Sequence, residues 1–168
     1  MASTAQKHPQ FILPGLPSTD NPSDGATLKS GGALEGAPIH FLQWTFPSRD
    51  TATVLFTHLA EYKLRGEFAQ PHTTFTHHLE LADAKGLVLC QGSVVEGRGV
   101  TAEEGKWLIL CLQKFYNRQG AEDEDADDGG NTVQQEMQKR RRRLMEQFSQ
   151  GDSSFRVEEL LEEAERLG

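Results

Sequence analysis

The sequence predicts an α+β domain, on three observations. Residues 74–83 alternate apolar and polar side chains and, after a tight turn, residues 87–97 return as a second strand, the pattern of an antiparallel hairpin. A Gly97-Arg98-Gly99 turn then leads into a helix whose start is marked by Thr101 and, three residues on, Glu104. Charge is also unevenly spread: residues 40–118 hold 8 basic and 8 acidic residues and nearly all the aromatics, so the core is expected there. A chain of 168 residues has the length of one domain with tails.

In chain order, residues 1–39 carry Pro9, Pro14, Pro17, Pro22 and Pro38 among many Gly and Ser, and read as a disordered N-terminal tail. Its "FILPGLP" has the look of a docking motif, although a loosely packed tail accounts for it. In "RDTATVLFTHLAEY", Val54, Leu55, His58 and Leu59 fall at helical spacing after a Ser48 or Asp50 cap, which predicts a first helix. "TFTHHLELAD" alternates around Phe75, His77, Leu79 and Leu81 and predicts a strand; "AKG" turns, and "LVLCQGSVVEG" returns as its partner. Trp107, Leu108, Leu110, Cys111, Leu112 and Phe115 give the helix after Thr101 a wide apolar face, running to about Asn117. Both helices are expected on one face of a small antiparallel sheet. Residues 119–131, opening with "GAEDEDADDGG", read as an acidic Gly-flanked linker. Residues 132–168 read as a charged helical extension of two helices, the second capped by Ser153 or Ser154.

Several familiar chemistries are excluded. Gly97-x-Gly99-x-x-Ala102 matches a dinucleotide fingerprint, but it follows a hairpin arm and too little chain remains for a doubly wound sheet. Gly105-Lys106 fails as a phosphate loop, because Val100 stands at the first glycine and Trp107 at the Ser/Thr position. Adjacent His77 and His78 point to opposite faces of a strand and, with Cys90, give no metal-ligand spacing. No nucleophile and base share a local motif, so no enzyme activity, cofactor, metal or small-molecule substrate is expected. Cys90 and Cys111 sit in apolar segments and read as reduced, buried thiols. "MASTAQKHPQ" has neither a secretory nor an Arg-rich presequence pattern, and no apolar run spans a membrane, so an intracellular location, cytoplasm or nucleus, is expected.

With these elements in place, "EGRGVTAEEGK" resembles the last strand, glycine turn and final helix of the double-stranded RNA-binding domain family. "EYKLRGEFAQPHTTFTHHLEL" is similar to that family's first strand, Pro-His loop and second strand, with Pro71-His72 in the loop. The resemblance covers about Arg49 to Tyr116 and implies an α-β-β-β-α sandwich that binds duplex RNA without catalysis. It implies RNA contacts from Pro71, His72 and Lys106. The family's lysine pair falls on Ala102 and Glu103, one neutral and one reversed in charge, which implies weakened affinity. Lys139, Arg140, Arg141, Arg142 and Arg143 offer a basic arm; a nuclear localisation signal or a solvated helix surface explains that run equally well. The alternative is a protein-interaction module, for dimerisation or docking, on the same scaffold after loss of RNA binding. The residues at the phosphate-contacting positions favour that alternative, while His72, Lys106 and the basic run keep RNA binding ahead; the apolar stripe Val157, Leu160, Leu161, Ala164 and Leu167 suits a partner groove or equally packs back on the domain.

Overall fold

A computed structural model describes residues 1–16, 36–117 and 132–166. The order is α1 (Ala2–Lys7), β1 (Gln10–Pro14), β2 (Ile39–Ser48), β3 (Thr51–His58), α2 (Leu59–Arg65), β4 (Thr73–His78), α3 (Ala82–Lys85), β5 (Leu89–Val94), α4 (Ala102–Tyr116), α5 (Thr132–Gln150) and α6 (Val157–Glu165). The fold class is α+β, as the sequence predicts. The expected three strands between two helices are instead one five-stranded antiparallel sheet, ordered β1-β2-β3-β4-β5.

The pairing register assigns side chains to faces. Leu42, Trp44, Ala52, Val54, Phe56, Phe75 and His77 share the inner face, all buried. Thr53, Leu55, Thr74 and Thr76 share the outer face, half-exposed. The helix expected over "RDTATVLFTHLAEY" is therefore strand β3 followed by α2. Ala52, Val54 and Phe56 alternate with outward Thr51, Thr53 and Leu55, and β-branched residues favour that pleated surface. "EYKL", expected to begin a strand, lies in α2, whose Tyr62 stacks on outward-facing Phe41 at 4.0 Å.

Helix α4 crosses the inner face. Gly105 lies over Val94 so closely that a Cβ would sit 3.1 Å from its Cγ2, while Phe115 and Tyr116 reach Phe11 and Trp44 at the other side of the sheet. The expected helix start is present in full: Thr101 Oγ1 accepts the Glu104 N–H, and the Glu104 carboxylate accepts the Thr101 N–H. Gly97 and Gly99 take φ of 76° and 70°, the left-handed values that turn the chain from β5 into α4.

The N-terminal residues depart from a disordered tail. β1 pairs with β2 from Gln10 to Pro14, and Phe11 and Leu13 are fully buried. Phe11 is the hub of an aromatic cluster with Phe115, Phe148 and Phe155, which fastens α5 and α6 to the sheet. Leu144, Met145, Leu160 and Ala164 are buried there, so the middle of the C-terminal stripe packs on the domain, while Val157 is exposed and Leu167 lies outside the described residues. Neither Ser153 nor Ser154 caps α6; its N-cap is Arg156. The acidic linker over 119–131 lies outside the described residues, as does most of the proline-rich segment. No helix among the described residues is long and apolar enough to cross a membrane.

Candidate functional site

The residues expected to grip RNA are engaged otherwise. His72 is fully buried and cannot reach a groove; its Nδ1 meets Thr73 Oγ1 at 2.8 Å and its Nε2 meets His40 Nδ1 at 2.9 Å. Pro71 precedes it on the half-buried approach to β4. Lys106 is exposed but paired at 2.7 Å with Glu103, the residue at the charge-reversed position. The basic run is neutralised from within. Arg140 pairs with Glu162, Arg141 with Glu163, Arg142 with Glu146 and Arg143 with Glu159, at 2.6 to 3.0 Å. Three of these tie α5 to α6, and the Glu163 carboxylate is wholly buried. Lys139 is exposed on α5. The run is thus one side of a helix–helix seam, which a sequence window containing only its positive half does not reveal.

His40, His58 and His72 converge at one end of the inner face, the one group among the described residues in which three metal-capable side chains meet. Burial, with the neighbouring imidazoles, lowers His40 to about 4 and His72 to about 3. His77, named in the sequence for its position on a strand, is buried beside Trp44 at 5.4 Å and held below the usual histidine range by desolvation.

At the opposite side of the sheet the molecule is open. β5 pairs with β4 from Thr73↔Val94 to His78↔Leu89, and no described strand lies on its far side. Leu89, Cys90, Gln91, Gly92 and Ser93 are all exposed, and Leu87, Val88 and Val95 extend this apolar rim. Cys90 is therefore an exposed free thiol, contrary to expectation, whereas Cys111 is buried. Residues 87–95 contain no charged residue and no proline. Edge strands ordinarily carry such residues to prevent pairing with another chain, and β5 lacks them.

Among known proteins, the family model described as "ATP11 protein" matches residues 1–161. "Protein atp11, mitochondrial" of Schizosaccharomyces pombe is 40% identical over 119 residues, 70% of this chain. The matched chain spans only 35% of that relative's length. These matches overturn the double-stranded RNA-binding resemblance, and with it both the RNA-binding reading and the alternative of a degenerate scaffold of that family. The elements that carried it — a glycine turn, a capping box, an alternating strand — are what any strand-to-helix connection uses. The relative's mitochondrial name likewise overturns the cytoplasmic or nuclear expectation, which rested on the first residues of a chain corresponding to a third of that protein. Matched over nearly its whole length, this chain belongs to the ATP11 family.

Proposed function

We propose that the chain is a non-catalytic protein-binding module of a mitochondrial ATP synthase assembly chaperone, and that it holds a synthase subunit by pairing an extended segment of it with β5. The observation that carries this reading is the uncharged, proline-free edge at residues 87–95, which carries exposed Leu87 and Leu89. An added strand gains its affinity from main-chain hydrogen bonds and its selectivity from alternate side chains. Both suit a chaperone. Backbone pairing tolerates varied sequences, and an unassembled subunit exposes strands that would otherwise aggregate. Family membership supports the partner class, and the paired Arg140–Arg143 run leaves little free positive charge for a nucleic acid.

The test is calorimetric titration of the full chain with purified soluble ATP synthase subunits, each unassembled. Leu89→Lys and Gln91→Lys place charges on the edge at exposed positions. Each is expected to weaken binding by about tenfold or more, equivalent to ~1.4 kcal/mol. Gln43→Lys, exposed on β2 within the same sheet, is expected to leave it unchanged. Wild-type affinity in both β5 variants would refute edge pairing, and failure of every subunit to bind would refute the partner class.

A further inference from the structure

The three histidines reach one point from separate parts of the chain. Register pairs His40 of β2 with His58 at the end of β3, and the His72 N–H donates to the Phe56 carbonyl at 2.8 Å, bringing the third ring alongside. Ring centroids lie 5.1 Å (His40–His58), 4.8 Å (His40–His72) and 4.5 Å (His58–His72) apart, and one nitrogen from each lies within 4.8 Å of the others.

Hydrogen-bond accounting shows which nitrogens have lone pairs. His58 Nε2 faces the Arg98 carbonyl at 2.9 Å, and a carbonyl can only accept, so Nε2 carries the proton and Nδ1 is a bare lone pair. With the Thr73 hydroxyl on Nδ1, His72 turns its Nε2 toward His40 Nδ1, and a single proton serves that contact. His40 Nε2 is buried with no partner, and Gly15 abuts it so tightly that a Cβ there would lie 2.5 Å away. That leaves Nδ1 as the atom His40 can offer.

We propose that His40, His58 and His72 form a binding site for a divalent late transition metal, with zinc(II) the best fit and the fourth position taken by solvent. Three neutral imidazoles are a zinc, copper or nickel donor set, and zinc accepts an irregular tetrahedron most readily. Zn–N bonds of ~2.0–2.1 Å at a tetrahedral angle place ligand nitrogens about 3.3 Å apart. The metal takes the place of the shared proton between His40 Nδ1 and His72 Nε2, that proton moves to the other nitrogen of the ring that carried it so that both rings stay neutral, and the pair opens from 2.9 Å by about 0.4 Å. The wider separations close by rotation of His58, which is only half-buried. Two supporting contacts are already in place: the Arg98 carbonyl fixes the His58 tautomer, and Thr73 Oγ1 holds His72 Nδ1. The surrounding charges are mixed. The Glu104 carboxylate acts favourably on His40, and the Arg98 guanidinium, which acts against His72, is drawn toward Glu61 at 3.4 Å and the Gln70 carbonyl at 3.0 Å.

The experiment is titration of the chelator-stripped full chain with zinc chloride, and with cobalt chloride as a spectroscopic probe. One equivalent is expected to bind with micromolar or tighter affinity, and cobalt to give the visible ligand-field band of a four-coordinate site. His58→Gln should lower affinity by about 30-fold or more, and His40→Gln provides an independent removal, with circular dichroism checking that each metal-free variant is folded. His78→Gln removes a half-exposed histidine of β4 outside the cluster and should change nothing. Absence of metal binding, binding undiminished in His58→Gln, or loss in His78→Gln would each overturn the assignment.

Discussion

Replacing Phe11 by alanine tests whether the N-terminal strand is integral to the domain. The ring is fully buried and lies 5.5 Å from Phe115, 5.4 Å from Phe148 and 6.4 Å from Phe155, joining a strand to α4, α5 and the turn that precedes α6. Its removal loses the transfer free energy of a benzyl group and leaves a cavity that α4, α5 and α6 cannot all collapse into. A Phe→Ala change of this kind costs about 3–5 kcal/mol, of which aromatic pairing accounts for ~0.5–1.5 kcal/mol per pair beyond area burial. For a chain of this size that corresponds to a fall in Tm of about 6–20 °C. Urea unfolding followed by the fluorescence of Trp44 and Trp107 reads it directly. Leu64→Ala, at an 82% exposed position, serves as the control and should stay within about 0.5 kcal/mol. A Phe11→Ala loss below about 1 kcal/mol would mean that β1 does not belong to the cooperative fold.

Three further outcomes follow from the same geometry. Arg141→Ala leaves the buried Glu163 carboxylate with Arg166 at 3.9 Å in place of its 2.8 Å partner and should cost about 3 kcal/mol, whereas Arg142→Ala, on an exposed pair, should cost less than about 1 kcal/mol; equal effects in urea unfolding would refute the buried seam. Thr101→Ala removes one half of the capping box and should cost about 0.5–2 kcal/mol, with Thr101→Ser restoring most of it. His77, held below its unfolded-state pKa by burial, binds its proton more readily when unfolded, so its contribution is complete above pH ~6.5 and is lost as pH falls below that value. His77→Gln should therefore reduce the decline in stability between about pH 7.5 and 5.5, by at most ~1.4 kcal/mol per pH unit; an unchanged decline would refute the assignment.

What the sequence made legible was local. The β4–β5 hairpin, the glycine turn, the capping box and α4 each declare themselves within a dozen residues, and the structure contains all of them. β3 was misread because Val54, Leu55, His58 and Leu59 fit helical spacing by accident, while the alternation of Ala52, Val54 and Phe56 carries the strand. β1 is a continuous apolar run that is buried on both faces: Phe11 and Leu13 point inward, and Ile12 pairs with Phe41 beneath α2. A run of that kind has no period of two to betray it. The prolines around it suggested a tail, although Pro14 ends an edge strand, where proline is tolerated. The candidate sites were harder still. The histidine cluster joins residues separated by tens of positions, and nothing in a linear window brings His40 to His72. The edge at β5 had a readable signal, the absence of charge from residues 87–95, but its meaning depends on knowing that no strand among the described residues lies beyond it in the sheet.

The most direct test of the central claim is backbone hydrogen exchange across β5 in the full chain, alone and with an unassembled ATP synthase subunit. Alternate amides of Leu89–Val94 point away from β4 and should exchange rapidly in the free chain. Edge pairing predicts that the subunit slows these amides selectively, with α5 and α6 unaffected. Unchanged β5 exchange in a demonstrably formed complex, or protection confined to the α5–α6 seam, would contradict it.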